Sequence, residues 1–229
     1  MNFFISEELQ QLYTSTALGV LYYRANVQKS TPALLELLDK TISELRERCT
    51  LEDIAHIAQI AATRNAYKAL GKSPYEYRNA AEAMLRRIVK GNGLYHISNI
   101  VEVNNLVSIT SGYSIGSYDV SNLSGNITLH RAPDGASYEG IGKGAVNIEH
   151  LPTLYDDIGA FGNPSSDSRR AMTQPGDHEI ISVLYAFDGG NGLEKWMMQF
   201  KDLLQTYCDV QSVEASIFRG SDKIAVFVK

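Results

Sequence analysis

The chain reads as an α+β protein, and three observations carry that reading. Apolar residues recur at helical spacing through the first third, for example Leu34, Leu35, Leu37, Leu38, Ile42 and Leu45. From Ser73 onward the texture changes to short apolar runs broken by Gly, Asn and Ser. Helices and strands are then interleaved, with hairpin-like pairs and no regular alternation. This fits a mixed or antiparallel sheet packed with helices better than a doubly wound sheet.

Taken in order, Leu18 to Tyr23 (LGVLYY) predicts a strand. Ser30-Thr31-Pro32 then starts an amphipathic helix that runs to about Arg48, with proline near its first position. A second helix begins after Thr50, with Glu52 and Asp53 favouring its N-terminal dipole. It carries Ile54, Ile57, Ile60 and Tyr67 and stops before Gly71. Ala80 to Val89 predicts a helix with Met84, Leu85 and Ile88 inward, and Ile97 to Val107 predicts another. Short strands are expected at Ser117 to Val120, Asn126 to Arg131 and Leu154 to Asp156, with an exposed, loop-rich stretch from Gly159 to Asp177. Glu179 to Phe187 (EIISVLYAF) is a strong buried strand and Leu193 to Tyr207 a helix. Ser212 to Phe218 and Lys223 to Val228 form a terminal hairpin around Gly220. The N-terminal strand is expected to join the sheet made by the last strands, in one domain spanning residues 1–229.

Composition excludes several classes. No segment approaches 18 uninterrupted apolar residues, so no membrane span is expected. The start, MNFFISEELQQLY, lacks a basic region followed by an apolar run, and a cytoplasmic location is the expectation. Cys49 and Cys208 stand far apart without a C-x-x-C pair, which argues for free thiols over a disulfide framework or a thiolate zinc site. No cofactor and no metal are expected: the five histidines show no ligand spacing among themselves, and His56 reads as a core or rim residue among isoleucines. His96 and His178 flank the segments that could form a pocket. No G-x-S-x-G, Cys-His pair or P-loop lysine is present, and the GIGKG run at 140–144 reads as a turn.

The net charge of −5 opposes strong nonspecific nucleic-acid affinity, but Arg64 to Lys90 holds seven basic residues against two acidic ones. Arg86 and Arg87 on one turn, with Tyr67, Tyr75, Tyr77 and Tyr95 interleaved nearby, make this stretch a candidate RNA contact, because stacking plus charge is how single strands are held. A solvated helix face predicts the same residues.

The most specific stretch is Val101 to Gly125, VEVNNLVSITSGYSIGSYDVSNLSG. It resembles the B3/B4 editing module of the bacterial phenylalanyl-tRNA synthetase beta subunit and its free-standing relatives. That family's pattern reads roughly V-D-x-x-N-Y-V, a glycine turn, H-A-F-D, and a strand ending in R-x-A. Val101 to Val107 matches the first part, Gly112 the turn, Ser117-Tyr118-Asp119 the second part, and Gly125 to Ala132 (GNITLHRA) the last. The match is good over about residues 70–140, within a core of 71–187 flanked by an N-terminal part (1–70) and a C-terminal helix and hairpin (188–229). The resemblance implies a pocket for an amino acid or the aminoacylated end of a tRNA, and possible hydrolysis of misacylated tRNA by an aminoacyl-tRNA deacylase. Nothing in the chain resembles an ATP-binding catalytic domain, so an aminoacylating ligase on its own is not expected.

On this resemblance the ligand-binding candidates are Asn104, Asn105, Gly116, Thr173 and Ser182. Two adjacent mid-helix asparagines cost helix stability, which also points to a tertiary partner for at least one amide. Gly116 stands where the family has a histidine, so it opens space but transfers no proton. No catalytic residue is therefore assigned. Asp119 is expected to accept hydrogen bonds at the turn to Ser121-Asn122. Ser182 or Val183 falls where the family has a selecting carboxylate, with Glu179 earlier, which implies lost selectivity for a phenolic hydroxyl. The competing reading is a non-enzymatic RNA- or small-molecule-binding module that kept the fold.

Overall fold

The computed structural model describes residues 1–220 and 222–227. In chain order the first half comprises β1 (Phe3–Ile5), α1 (Glu7–Leu12), β2 (Ala17–Val27), α2 (Pro32–Arg48), α3 (Leu51–His56), α4 (Ala58–Ala69), α5 (Ala80–Val89) and α6 (Asn99–Ser111). The second half is strand-rich: β3 (Ser114–Asp119), β4 (Ile127–Arg131), β5 (Ser137–Gly140), β6 (Gly144–Asn147), β7 (Pro152–Tyr155) and β8 (Ala160–Gly162). It ends with β9 (Gly176–Ala186), α7 (Leu193–Tyr207), β10 (Val213–Arg219) and β11 (Asp222–Phe227). The fold is α+β, as the interleaved texture predicts.

Five antiparallel strands in the order β11-β10-β2-β9-β3 form the main sheet, so the early strand β2 does sit among the last ones. A four-stranded mixed sheet, β1-β4-β7-β8, packs on one face of it, and β5 pairs with β6 in a separate hairpin. Helices cover the other face. The apolar run of β9 is explained by this sandwiching. Ile180, Leu184 and Ala186 join the cluster with α6 and α7, whereas Ile181, Val183 and Tyr185 join the one between the sheets. Both faces of the strand are buried, so its sequence shows no alternation. A third cluster, including Leu38, Leu45, Ile54, Leu85 and Leu106, glues α2 to α6 together.

Local signals set the helix ends. Thr31 caps α2 by accepting from the Leu34 N–H, and Thr50 and Asp53 form a reciprocal capping box on α3. Ser98 caps α6, and Gly112 ends it in the left-handed conformation at φ 83°. The helix expected after Thr50 is instead two, broken at Ile57, whose ψ of 121° is extended. No glycine or proline marks that break. Ile57 leaves the helical path and lies against Gly112, where a Cβ would meet its Cγ2 at 2.7 Å.

Further expectations are corrected. The stretch from Gly159 to Asp177 is not an exposed loop: it contains β8, and Phe161, Asn163, Ser168 and Ala171 are buried. Side chains make that burial possible, with Asn163 Oδ1 accepting from the Ser165 and Ser166 N–H groups, and Ser168 Oγ from the Arg170 N–H. His56 is exposed at the end of α3, away from the apolar face. Tyr67 is buried and bonded to Ser165 Oγ at 2.7 Å, so it is no part of an aromatic surface. The GIGKG turn closes the β5–β6 hairpin. Val228, the expected end of the last strand, lies outside the described residues.

Leu184 is fully buried in the central region of the main sheet. Leu184→Ala is predicted to lower the unfolding free energy by about 2–5 kcal/mol in urea titrations. A loss under about 1 kcal/mol would contradict the layered packing.

Candidate functional site

β3 is the outer strand of the main sheet, and an outer strand presents unpaired backbone groups that need a cover. Residues 167–172 supply that cover. Met172 forms a β-bridge to Tyr118, and Ser168 a bridge to Gly140 of the β5–β6 hairpin. Between this cover and the helices opens a cleft of about 980 Å³. Its wall is mainly apolar, with Ala80 and Met84 from α5, Val101 from α6, Ile115 from β3, Ile141 from the hairpin turn, and Met172. Polar side chains are set into it, with Asn104, Asn105, Ser117, Asp167, Thr173 and Lys29 among them. A concave apolar space with a few polar groups is the usual form of a small-molecule site.

Asn104, Asn105 and Thr173 thus line one cleft. The partner of Asn104 is identifiable. Ser117 Oγ donates to Asn104 Oδ1 at 3.0 Å and lies 2.5 Å from Ser182 Oγ, which is 2.8 Å from the Tyr23 hydroxyl. With one proton per hydroxyl, the direction runs from Tyr23 to Ser182 to Ser117 to Asn104. Ser182 is completely buried behind this chain and does not line the cleft, so it positions Ser117 and lacks a contact surface of its own. Val183 is equally buried, on the opposite face of β9.

Gly116 corrects the expectation of an open space. A Cβ there would lie 2.0 Å from the Tyr118 hydroxyl, so the volume is already filled by that phenol. Tyr118 lies two residues along the same face of β3 and folds back over the glycine. Its hydroxyl donates to Asp167 Oδ1 at 2.7 Å and lies 2.7 Å from the Tyr185 hydroxyl, which must therefore donate to it.

Asp167 is the functional candidate that sequence reasoning missed. It sits in a Ser-Ser-Asp-Ser loop whose composition signals exposure, and nothing local reveals that its carboxyl faces an apolar cleft. Burial pushes this carboxyl up from its ordinary value to about 7, against the opposing effects of the Tyr118 hydrogen bond, the Asn163 backbone and the Lys143 charge. Burial likewise raises the Tyr118 and Tyr185 phenols well above their ordinary value, so both stay protonated.

Other candidates are engaged elsewhere. His178 Nδ1 lies 2.7 Å from Asp119 Oδ2, while Asp119 Oδ1 accepts from the Ser121 N–H and hydroxyl, the turn role expected of it. His96 is exposed. His150 pairs at the surface with Asp134 (2.6 Å) and Glu149 (3.6 Å). Arg86, with Arg64 and Arg78, surrounds the fully buried Glu82 at 3.4–3.9 Å. Arg87 donates to the Gly93 carbonyl at 2.5 Å, and its guanidinium lies 4.6 Å from the ring centre of the exposed Tyr95.

Residues 62–164 match the family model described as the B3/4 domain. No curated protein matches the chain in sequence. Among solved structures, an N-terminal fragment of the phenylalanyl-tRNA synthetase beta subunit from Pyrococcus horikoshii is similar at a TM-score of 0.50 and 11% identity. The alignment covers 98% of this chain and 53% of that one, so the chain spans about half the length of the fragment. No described helix is long and apolar enough to cross a membrane. With the matched segment supplying α5, α6 and β3 of the cleft, the chain carries a B3/B4-type domain in an α+β fold like that of a phenylalanyl-tRNA synthetase beta subunit.

Proposed function

We propose that the cleft beside β3 binds the amino-acid part of an aminoacyl-tRNA and hydrolyses the ester of a misacylated one. The observation that carries this reading is Asp167, a carboxyl with a pKa of about 7 in the wall of an apolar cleft that also holds Asn104, Asn105 and Thr173. A carboxyl titrating near neutrality is matched to general base work at physiological pH.

In this reading the apolar wall takes the substrate's side chain, and the amides of Asn104 and Asn105 hold its polar end. Asp167 takes a proton from a water as the water oxygen bonds to the ester carbonyl carbon. The bond from that carbon to the ribose oxygen then breaks, and Asp167 returns the proton to the departing oxygen. Gly116 needs no proton-transfer role in this scheme. With Ser182 and Val183 both buried in β9, neither supplies a group that selects among side chains, and the apolar wall is left to do so. The RNA part lies across Arg87 and Tyr95, which neighbour the cleft residues Met84 and Ile97 in sequence. Arg86 contributes less, since Glu82 already shares its charge.

Against a panel of mischarged tRNAs, the purified protein is predicted to deacylate selectively, with an acid limb in kcat/KM near pH 7. Asp167→Asn is predicted to lower kcat by about 10²–10⁴. Asn105→Ala is predicted to raise KM, because its amide binds without reacting. Binding of the aminoacyl end without turnover would instead favour a non-enzymatic module on the same fold.

The raised pKa also fixes the sign of a stability effect. The carboxyl's ordinary value is 3.8 and its folded value about 7, so the folded state holds the proton more tightly than the unfolded one. Stability is fully present below about pH 4 and is lost as pH rises to about 7. Asp167→Asn cannot ionise and escapes that loss. Relative to wild type, it is predicted to gain about 2–4 kcal/mol between pH 4 and pH 8, read as a Tm difference of roughly 2–4 °C per kcal/mol. A difference independent of pH would contradict the raised value.

A further inference from the structure

We propose that Tyr118 is a positioning residue for Asp167, threaded between two glycines so that its phenol fixes one carboxyl oxygen from inside the fold. This inference rests on the reading of Asp167 as the proton acceptor.

The geometry that supports it is unusually restrictive. A Cβ at Gly116 would fall 2.0 Å from the Tyr118 hydroxyl, and one at Gly162, on β8, would fall 2.1 Å from the same oxygen. No other residue type at either position leaves room for the phenol. Neither glycine has a positive φ, so backbone freedom does not explain their presence. The ring itself is held by an edge-on contact with Phe161, at 4.9 Å between centres and 85° between planes. Its hydroxyl is left with one donor direction, toward Asp167, because the Tyr185 hydroxyl occupies its acceptor side. The phenol thus approaches from the inter-sheet core while the carboxyl lines the cleft on the other side of the β3 edge. It binds the carboxylate more strongly than the neutral acid, and so keeps an otherwise desolvated group able to ionise near neutrality. Tyr118 does not touch the cleft's occupant and exchanges no proton itself.

Tyr118→Phe tests this with the smallest structural change. In protein carrying ¹³C-labelled aspartate, the Asp167 carboxyl titration is predicted to move up by about 0.5–1 pH unit in this variant, and the acid limb of kcat/KM to move with it. Gly116→Ala, whose Cβ would lie 2.0 Å from the hydroxyl and 3.1 Å from Asp167 Oδ1, is predicted to shift the titration in the same direction by displacing the phenol and crowding the carboxyl. An unmoved Asp167 titration in folded Tyr118→Phe overturns the proposal, whatever happens to the rate. If the wild type hydrolyses no aminoacyl-tRNA, the proposed function fails and Tyr118 loses its catalytic meaning, while the titration still decides whether the phenol holds the carboxyl.

Discussion

A carboxyl lining an apolar cleft must find hydrogen bonds or stay protonated, and the region around β3 is organised by how Asp167 meets that demand. Its partner comes through the sheet from behind. Tyr118 reaches it only because β3 is the outer strand, because residues 167–172 cover that strand's free edge, and because Gly116 and Gly162 leave a channel for the phenol. The same edge cover forms one wall of the cleft, so the demands of burying a strand edge and of building a site are met by one segment.

Two hydrogen-bonded chains of hydroxyls converge on this cleft from opposite faces of the main sheet. On the helix face, Tyr23, Ser182 and Ser117 orient Asn104. On the inter-sheet face, Tyr185 and Tyr118 orient Asp167. Because successive residues of β3 point to opposite faces, Ser117 and Tyr118 serve the two chains from adjacent positions. Hydroxyls held in a packed core lose little further freedom when a ligand binds, which is what preorganisation of a site requires.

Much of the architecture was legible in the sequence because its signals are local. The caps at Thr31 and Thr50, the period of α2 and the unbroken apolar run of β9 need no tertiary knowledge, and Leu193 to Tyr207 forms the helix its periodicity predicts. The resemblance grouped Asn104, Asn105 and Thr173, which share one cleft, and the cost of adjacent asparagines within a helix independently called for the tertiary partner that Asn104 has in Ser117. Three features were not legible because their causes are distant. The break at Ile57 has no local marker, and the side chain it releases lies against Gly112, far along the chain. Gly116 looked like space for a ligand, yet that space belongs to a side chain two residues away. Asp167 lies in a polar loop whose burial is decided by Asn163, Tyr118 and the hairpin carrying Ile141, and no window of sequence around it contains those partners together. In the charge-rich stretch, Arg64, Arg78 and Arg86 share a buried counter-ion in Glu82, so part of that charge is internal, which spacing alone does not reveal.

The central claim is that the cleft beside β3 receives the amino-acid end of the substrate with its carbonyl near Asp167. The most direct measurement is a crystal structure with a hydrolysis-resistant 3′-aminoacylamino-adenosine. The account predicts the side chain seated against Met84 and Ile115, with the amide carbonyl one water away from the Asp167 carboxyl. Density for the analogue outside the cleft, or in the cleft with its carbonyl turned away from Asp167, would contradict it.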